Sequence, residues 1–373
     1  MGSINKSRII KFFGGFIAGG LLLNALQWNE VMAARTVEVT YNNMALELSN
    51  EPKMVEQRIM LPLRDISRQL GYEVNWEKAT GKIEIVDGSY KVILQLGSKS
   101  AVVNGEAITI ETAPQSIHGV TYVPLRFVGE AMELGVQWND KESKVNLEGK
   151  YTVDKKAKKL MVRTQNGKKA VGDVETYEGL CVDWEGVSLM RTKVGSEIVS
   201  ADYLIQGALT NTAATIFYIK DGKVIDRFIE EPSVLPKAGI LLKENQVAIS
   251  TGTEFKIYDD LTGMLIKSYN LKEKLGGEGF APISYGENYI VGRYENTIHV
   301  IDLVSGKVTR ILDFIPESTE EEKEAKYYVY MDDMKLTAQD NIKLVWETDK
   351  ALVFKYYDAV EKQDKTITYS IGK

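Results

Sequence analysis

Leu61-Pro62-Leu63-Arg64, followed by Val74 and Trp76, returns 62 positions later as Val123-Pro124-Leu125-Arg126, followed by Val136 and Trp138. Asn42, Ala45, Pro52 and Lys82 recur at the same offset as Asn104, Ala107, Pro114 and Lys144. Identities spread without a gap over residues 41–83 and 103–145 mean two copies of one folding unit, and a repeat constrains everything read after it. Leu63, Ile66 and Leu70, and again Leu125, Val128 and Met132, fall at i, i+3 and i+7, the spacing of a short helix with one buried stripe. Pro62 and Pro124 stand at helix entry, where a missing N–H does no harm. Val74/Trp76 and Val136/Trp138 have the spacing of two expected of a strand with one covered face.

Asn104-Gly105 lies between apolar runs and predicts a hairpin whose turn needs φ > 0 twice; Asn42-Asn43 is the weaker equivalent. Residues 37–149 are therefore expected to form an α+β domain of two ββαβ-like repeats, about 37–86 and 99–148. In this reading Trp76 and Trp138 are core residues facing the helices.

The duplicated Val-Pro-Leu-Arg…Trp unit, with its hairpin and Pro, resembles the copper amine oxidase N-terminal-like domain of secreted Gram-positive bacterial proteins. The resemblance implies a non-catalytic appendage and carries no copper with it. A type-2 copper site needs clustered imidazoles, whereas this chain has only His118 and His299, far apart in sequence. No metal and no cofactor are expected.

The first 34 residues read as a signal peptide. Lys6, Arg8 and Lys11 precede an apolar stretch from Phe12 to Leu26, with Ala33-Ala34 as the exit. The expected location is secreted or cell envelope, with membrane attachment only through an uncleaved signal segment. Without residues 1–33 the net charge moves from −6 to −8. That balance, with no basic stripe apparent, speaks against nucleic acid as a partner. A cell-wall or extracellular polymer, or another envelope protein, is the expected partner. Cys181 is the only cysteine, so no internal disulfide can form.

Residues 150–373 contain short alternating apolar runs split by turn dipeptides. Gly222, Gly263 and Gly306 follow similar phrases at separations of 41 and 43, which suits the ~40 to 45 residues of a four-stranded propeller blade. These phrases resemble the outer hairpin of quinoprotein-like, non-WD β-propellers. The expectation is an all-β, β-propeller-like domain of about five blades.

Nucleophile elbows, P-loops and zinc-protease motifs are absent from the sequence. Asp259, Asp260 and Asp302 fall where hairpins turn, so capping of turns is their expected role. Asp332-Asp333 and the acidic run Glu317 to Glu324 read as loops. No catalytic residue is assigned. Arg64, Trp76, Arg126 and Trp138 are the candidate binding residues, with an alternative structural role in holding helix to sheet. The expected function is an exported, non-enzymatic binding or scaffold protein; the alternative is a propeller-based enzyme acting on a glycan or small molecule.

Overall fold

The computed structural model describes residues 37–175, 181–206, 211–233, 239–315, 328–329, 339–358 and 361–373. The expected signal segment, Asp332-Asp333 and Glu317 to Glu324 lie outside the described residues.

At the centre of the N-terminal module, strand Arg58–Pro62 runs antiparallel to strand Val120–Pro124. The register pairs Leu61 with Val123, and on either side Met60 with Pro124 and Pro62 with Tyr122. Leu61 and Val123 are the same position in the two copies, so a local two-fold axis passes between them. Both are fully buried. Each strand leads through its proline, at φ −68° and −62°, directly into a seven-residue helix, Leu63–Gln69 and Leu125–Ala131. Leu63, Ile66, Leu125 and Val128 point into one shared core, as the spacing predicts.

The turns repeat as faithfully as the helices. Left-handed φ values occur at Asn42, Asn43, Glu56, Gln57, Gly71 and Gly81, and 62 residues on at Asn104, Gly105, His118, Gly119, Glu133 and Ser143. The Asn-Gly and Asn-Asn hairpins are thus as expected. His118 is explained by its turn.

Each copy is longer than the expected ββαβ unit: a hairpin, a second hairpin, the helix, and a closing hairpin. The copies also interlace. The opening strand Glu38–Tyr41 of the first copy lies parallel to Lys144–Glu148, which closes the second. The second copy's opening hairpin, Ser100–Val103 and Glu106–Thr109, joins the closing hairpin of the first, Glu73–Glu77 and Lys82–Asp87, through the intervening strand Tyr90–Gln95. A hairpin in isolation is marginal and needs a neighbouring strand; one closing hairpin takes it from the other copy and the other from the strand that joins the copies.

Trp76 and Trp138 are not core residues. They are 45% and 43% exposed. Both lie on outermost strands of their sheets, Glu73–Glu77 and Gly135–Asn139. Val74 on the same face as Trp76 still packs against the core. In the second copy the counterpart of Val74, Val136, is itself 40% exposed, against the covered face its spacing predicts.

Beyond residue 150 the described chain is almost wholly β. Small antiparallel sheets follow in order: three strands in 151–173, four in 181–233, four in 239–270, four in 281–310 and three in 343–370. Gly222, Gly263 and Gly306 each sit between the third and fourth strands of a sheet, as expected for outer hairpins. Neighbouring sheets pack face to face by strict alternation. On strand Asn211–Lys220, Phe217 and Ile219 meet the sheet before, while Ile216 and Tyr218 meet the sheet after. Ala248 and Phe255 then meet Ile290 and Ile301, and Val291 and Val300 meet Phe354 and Ile367. Such stacking is consistent with a propeller-like region.

Asp259 and Asp302 cap the turns that follow them, whereas Asp260, expected to do the same, is buried and its Oδ1 accepts from the Tyr218 hydroxyl at 3.1 Å. Asp259 Oδ1 accepts from the Thr262 N–H (2.8 Å), and Asp302 Oδ1 from Val304 and Ser305 (both 2.9 Å). The other oxygen of Asp302 accepts from the Gly372 N–H (2.6 Å), tying the fourth of these sheets to the C-terminal strand's end. Burial pushes the Asp302 carboxyl up, but these backbone donors outweigh it and hold it below the usual carboxylate range.

The module meets the second of these sheets through Arg191. Its side chain, 5% exposed, pairs with Asp87, with Glu133 (2.6 Å) and with Glu197 (3.5 Å), and lies over the Tyr90 ring. Lys150 and the Tyr151 hydroxyl both reach Glu197 at 2.7 Å. Gly88, at φ +57°, closes the contact: a Cβ there would stand 2.1 Å from the Arg191 carbonyl oxygen.

Two predictions follow from these buried charges. Arg191→Met takes the guanidinium from Asp87 and Glu133, while Glu197 keeps Lys150 and Tyr151, and is expected to cost about 3 to 5 kcal/mol in denaturant melts; a loss within ordinary surface range would show that the junction is hydrated. Asp302→Asn is expected to cost about 1.5 to 3 kcal/mol at neutral pH. Because the folded pKa is depressed, the stabilisation is present above the unfolded value near 3.9 and is lost as pH falls through the folded one, so the two proteins should converge in acid.

Candidate functional site

Arg64 opens the first helix and Trp76 lies on the outer strand beside it. With Leu63, Val74, Ile83 and the turn at Gly119 they line a cleft of about 180 Å³. Leu63 and Ile83 are buried and form an apolar floor. One wall is polar. Asp65 Oδ2 accepts from both the backbone N–H and the side-chain amide of Asn50, at 3.0 and 3.2 Å, which fixes the loop at the cleft's rim. Arg64 is exposed and makes no ion pair with any described residue. An aromatic face, a guanidinium without an ion pair among the described residues and an apolar floor suit a flat ligand that bears a negative charge.

The second copy differs at this position. Arg126 donates to Glu111 Oε1 at 3.0 Å, and the other oxygen of Glu111 takes Arg58. Arg58 occupies the place that Val120 holds in the first cleft, and Glu111 that of Ser49. An ion network therefore spans the region left open in the first copy. The structure brings Arg64 and Trp76 together in one cleft, and commits Arg126 to a carboxylate. The asymmetry was legible as the two unmatched pairs, Ser49/Glu111 and Arg58/Val120.

A second recess, of about 560 Å³, was not anticipated. Lys243, Tyr285, Tyr289, Glu347 and Asp349 line it, from three successive sheets. Lys243 Nζ is 2.9 Å from Glu347 Oε1 and also donates to the Tyr285 carbonyl. Asp349 accepts from the Glu287 N–H at 2.9 Å. Burial pushes Glu347 up, but Lys243, Ser284 and Tyr289 together hold it below the usual range. Burial pushes Tyr285 up to about 12. A carboxylate held ionised and a phenol held neutral are both far from the neutral pKa suited to proton transfer. No motif spacing could have marked residues so far apart in sequence.

His299 is buried, its Nδ1 within 3.2 Å of the Thr297 carbonyl and its ring edge-on to Tyr294. His118 stands in its turn.

Residues 40–147 match the copper amine oxidase N-terminal domain, and this segment is such a domain. A protein from Brevibacillus choshinensis named protease inhibitor is 26% identical over 106 residues, 28% of this chain. The matched part spans 32% of that relative's length. Similarity to β-propeller structures is weak. The WD40 domain of SCAP from fission yeast aligns with 86% of this chain and 64% of its own, at 11% identity and a TM-score of 0.21. Dihydro-heme d1 dehydrogenase NirN in complex with DHE aligns with 81% of this chain and 75% of its own, at 12% identity and a TM-score of 0.22. Superpositions this loose carry no weight for fold or function.

The exposure of the tryptophans sets a prediction. A buried Trp→Ala costs about 3 to 5 kcal/mol. With nearly half of each side chain in water, Trp76→Ala and Trp138→Ala are each expected to cost about 1 to 2 kcal/mol in denaturant melts. A loss above 3 would place the indoles in the core after all.

Proposed function

We propose that this chain is an exported, non-enzymatic binding protein, and that the Arg64–Trp76 cleft takes an acidic saccharide unit of an extracellular or cell-wall polymer. The observation that carries this reading is the pairing of a half-exposed indole with an unpaired guanidinium over an apolar floor. The indole would stack on the sugar's C–H face and Arg64 would meet its carboxylate. The charged, apolar and small-residue order of the first 34 residues supports export. The name protease inhibitor, carried by a relative, agrees with a role in binding rather than turnover. The stacked sheets beyond residue 150 read as propeller blades that present the module.

The second reading is an enzyme working in the recess between the later sheets. In its favour, Lys243, Tyr285 and Glu347 converge there from three sheets. Against it, the Glu347 carboxylate is already committed to Lys243.

The test is calorimetric titration of the full chain with oligosaccharides containing uronic or muramic acid units. Trp76→Ala and Arg64→Ala are each expected to weaken binding tenfold or more, about 1.4 kcal/mol, while Trp138→Ala leaves it unchanged. Equal loss from Trp76→Ala and Trp138→Ala, or binding indifferent to Arg64, would overturn the assignment. Turnover of any such saccharide, abolished by Glu347→Gln, would favour the recess.

A further inference from the structure

The two tryptophans are exposed alike, so the aromatic face does not distinguish the Trp76 cleft from the equivalent place beside Trp138. The wall does. Asp65 lines the first cleft where the second copy, 62 residues on, has Phe127; Thr121 lines it where the first copy's own strand, 62 residues back, has Ile59. Phe127 is 4% exposed and belongs to the shared core, and Ile59 packs against that core. A carboxylate and a hydroxyl thus stand in one cleft at the positions that carry two apolar side chains in its symmetry mate.

Asp65 is held in place without being neutralised. Its Oδ2 accepts from the backbone N–H and the side-chain amide of Asn50, both neutral donors, while its Oδ1 accepts from no described residue. It makes no ion pair with any described residue, Arg64 beside it included. The Thr121 hydroxyl, half-buried, has no hydrogen-bond partner among the described residues. A half-buried carboxylate loses part of its hydration, and apolar packing at the same position in the other copy shows that the fold itself does not require it. The wall therefore presents an acceptor with a free oxygen and a hydroxyl able to donate. That pair is the complement of a secondary amide.

Resting on the saccharide reading above, we propose that the cleft selects an N-acylamino sugar acid. The ligand's amide N–H donates to Asp65, its amide carbonyl accepts from the Thr121 hydroxyl, and its carboxylate meets Arg64. Asp65 also orients the ligand, because its charge repels the sugar's carboxylate and leaves Arg64 as the favourable seat. A uronic acid brings a carboxylate for Arg64 and a hydroxyl for Asp65, but no carbonyl for Thr121. A site built around hydrogen bonds discriminates most strongly against the analogue that lacks them, since its polar groups are then left unpaired.

The test is calorimetric titration of the full chain with three disaccharides that differ only in the acidic unit: N-acetylmuramic acid, its N-deacetylated form, and glucuronic acid. The N-acetylated compound is expected to bind about tenfold or more tighter than either of the others. Asp65→Asn turns donors toward the ligand's N–H, and Thr121→Val removes the hydroxyl; each is expected to erase that preference while affinity for the glucuronic compound changes little. The two positions lie on different elements, and an unchanged thermal midpoint checks that each variant is folded. Equal binding of the N-acetylated and glucuronic compounds, or a preference kept in both variants, would overturn the proposal and leave the saccharide reading standing. Tighter binding of the deacetylated compound would also overturn it, since an ammonium paired with Asp65 would then account for the wall. Binding of none of the three would overturn both readings.

Discussion

The antiparallel pairing of Arg58–Pro62 with Val120–Pro124 constrains the whole module. Because Leu61 faces its own counterpart Val123, the two copies are related by a two-fold axis and cannot simply follow one another along a line. The helices start from this pair of strands, so their apolar stripes are delivered to a common core. The closing hairpin of the second copy then pairs with the opening strand of the first, and that of the first reaches the second copy's opening hairpin through Tyr90–Gln95. A single copy would expose strand edges on both sides. An insertion in one copy would shift its turns against the other, which gives a physical reason for a repeat without gaps.

Local features were readable from the chain because they depend on a few neighbouring residues. The prolines at helix entry, the i, i+3, i+7 stripes, and the Asn-Gly turn each declare themselves through sterics or periodicity. The hairpin glycines and capping aspartates beyond residue 200 do the same. What escaped was set by distant pairing. Glu38 meets Lys144 across more than a hundred residues, and no local pattern specifies it. The exposure of Trp76 escaped for a related reason: spacing by two shows which face of a strand is covered, but not where along the strand the cover ends.

The contacts between parts differ in kind. Neighbouring sheets of the later region meet through apolar clusters, which are tolerant of small shifts because hydrophobic attraction has little direction. The module meets its neighbour through Arg191, Asp87, Glu133, Glu197 and Lys150, in a contact whose strength depends on angle and distance. Burial pushes the Asp87 carboxyl up despite the adjacent guanidinium, so desolvation offsets much of the attraction. Such a junction contributes less to stability than to a defined orientation, since one misplaced group leaves a buried charge without its partner.

The two candidate recesses lie on opposite sides of this joint in sequence, one in the module and one among the later sheets. They also rest on different forces. The Arg64–Trp76 cleft offers an apolar floor and one cation, so most of its attraction is short-ranged and survives salt. The recess among the later sheets holds Lys243 and Glu347 already paired with each other, so it presents little net field to a distant ion.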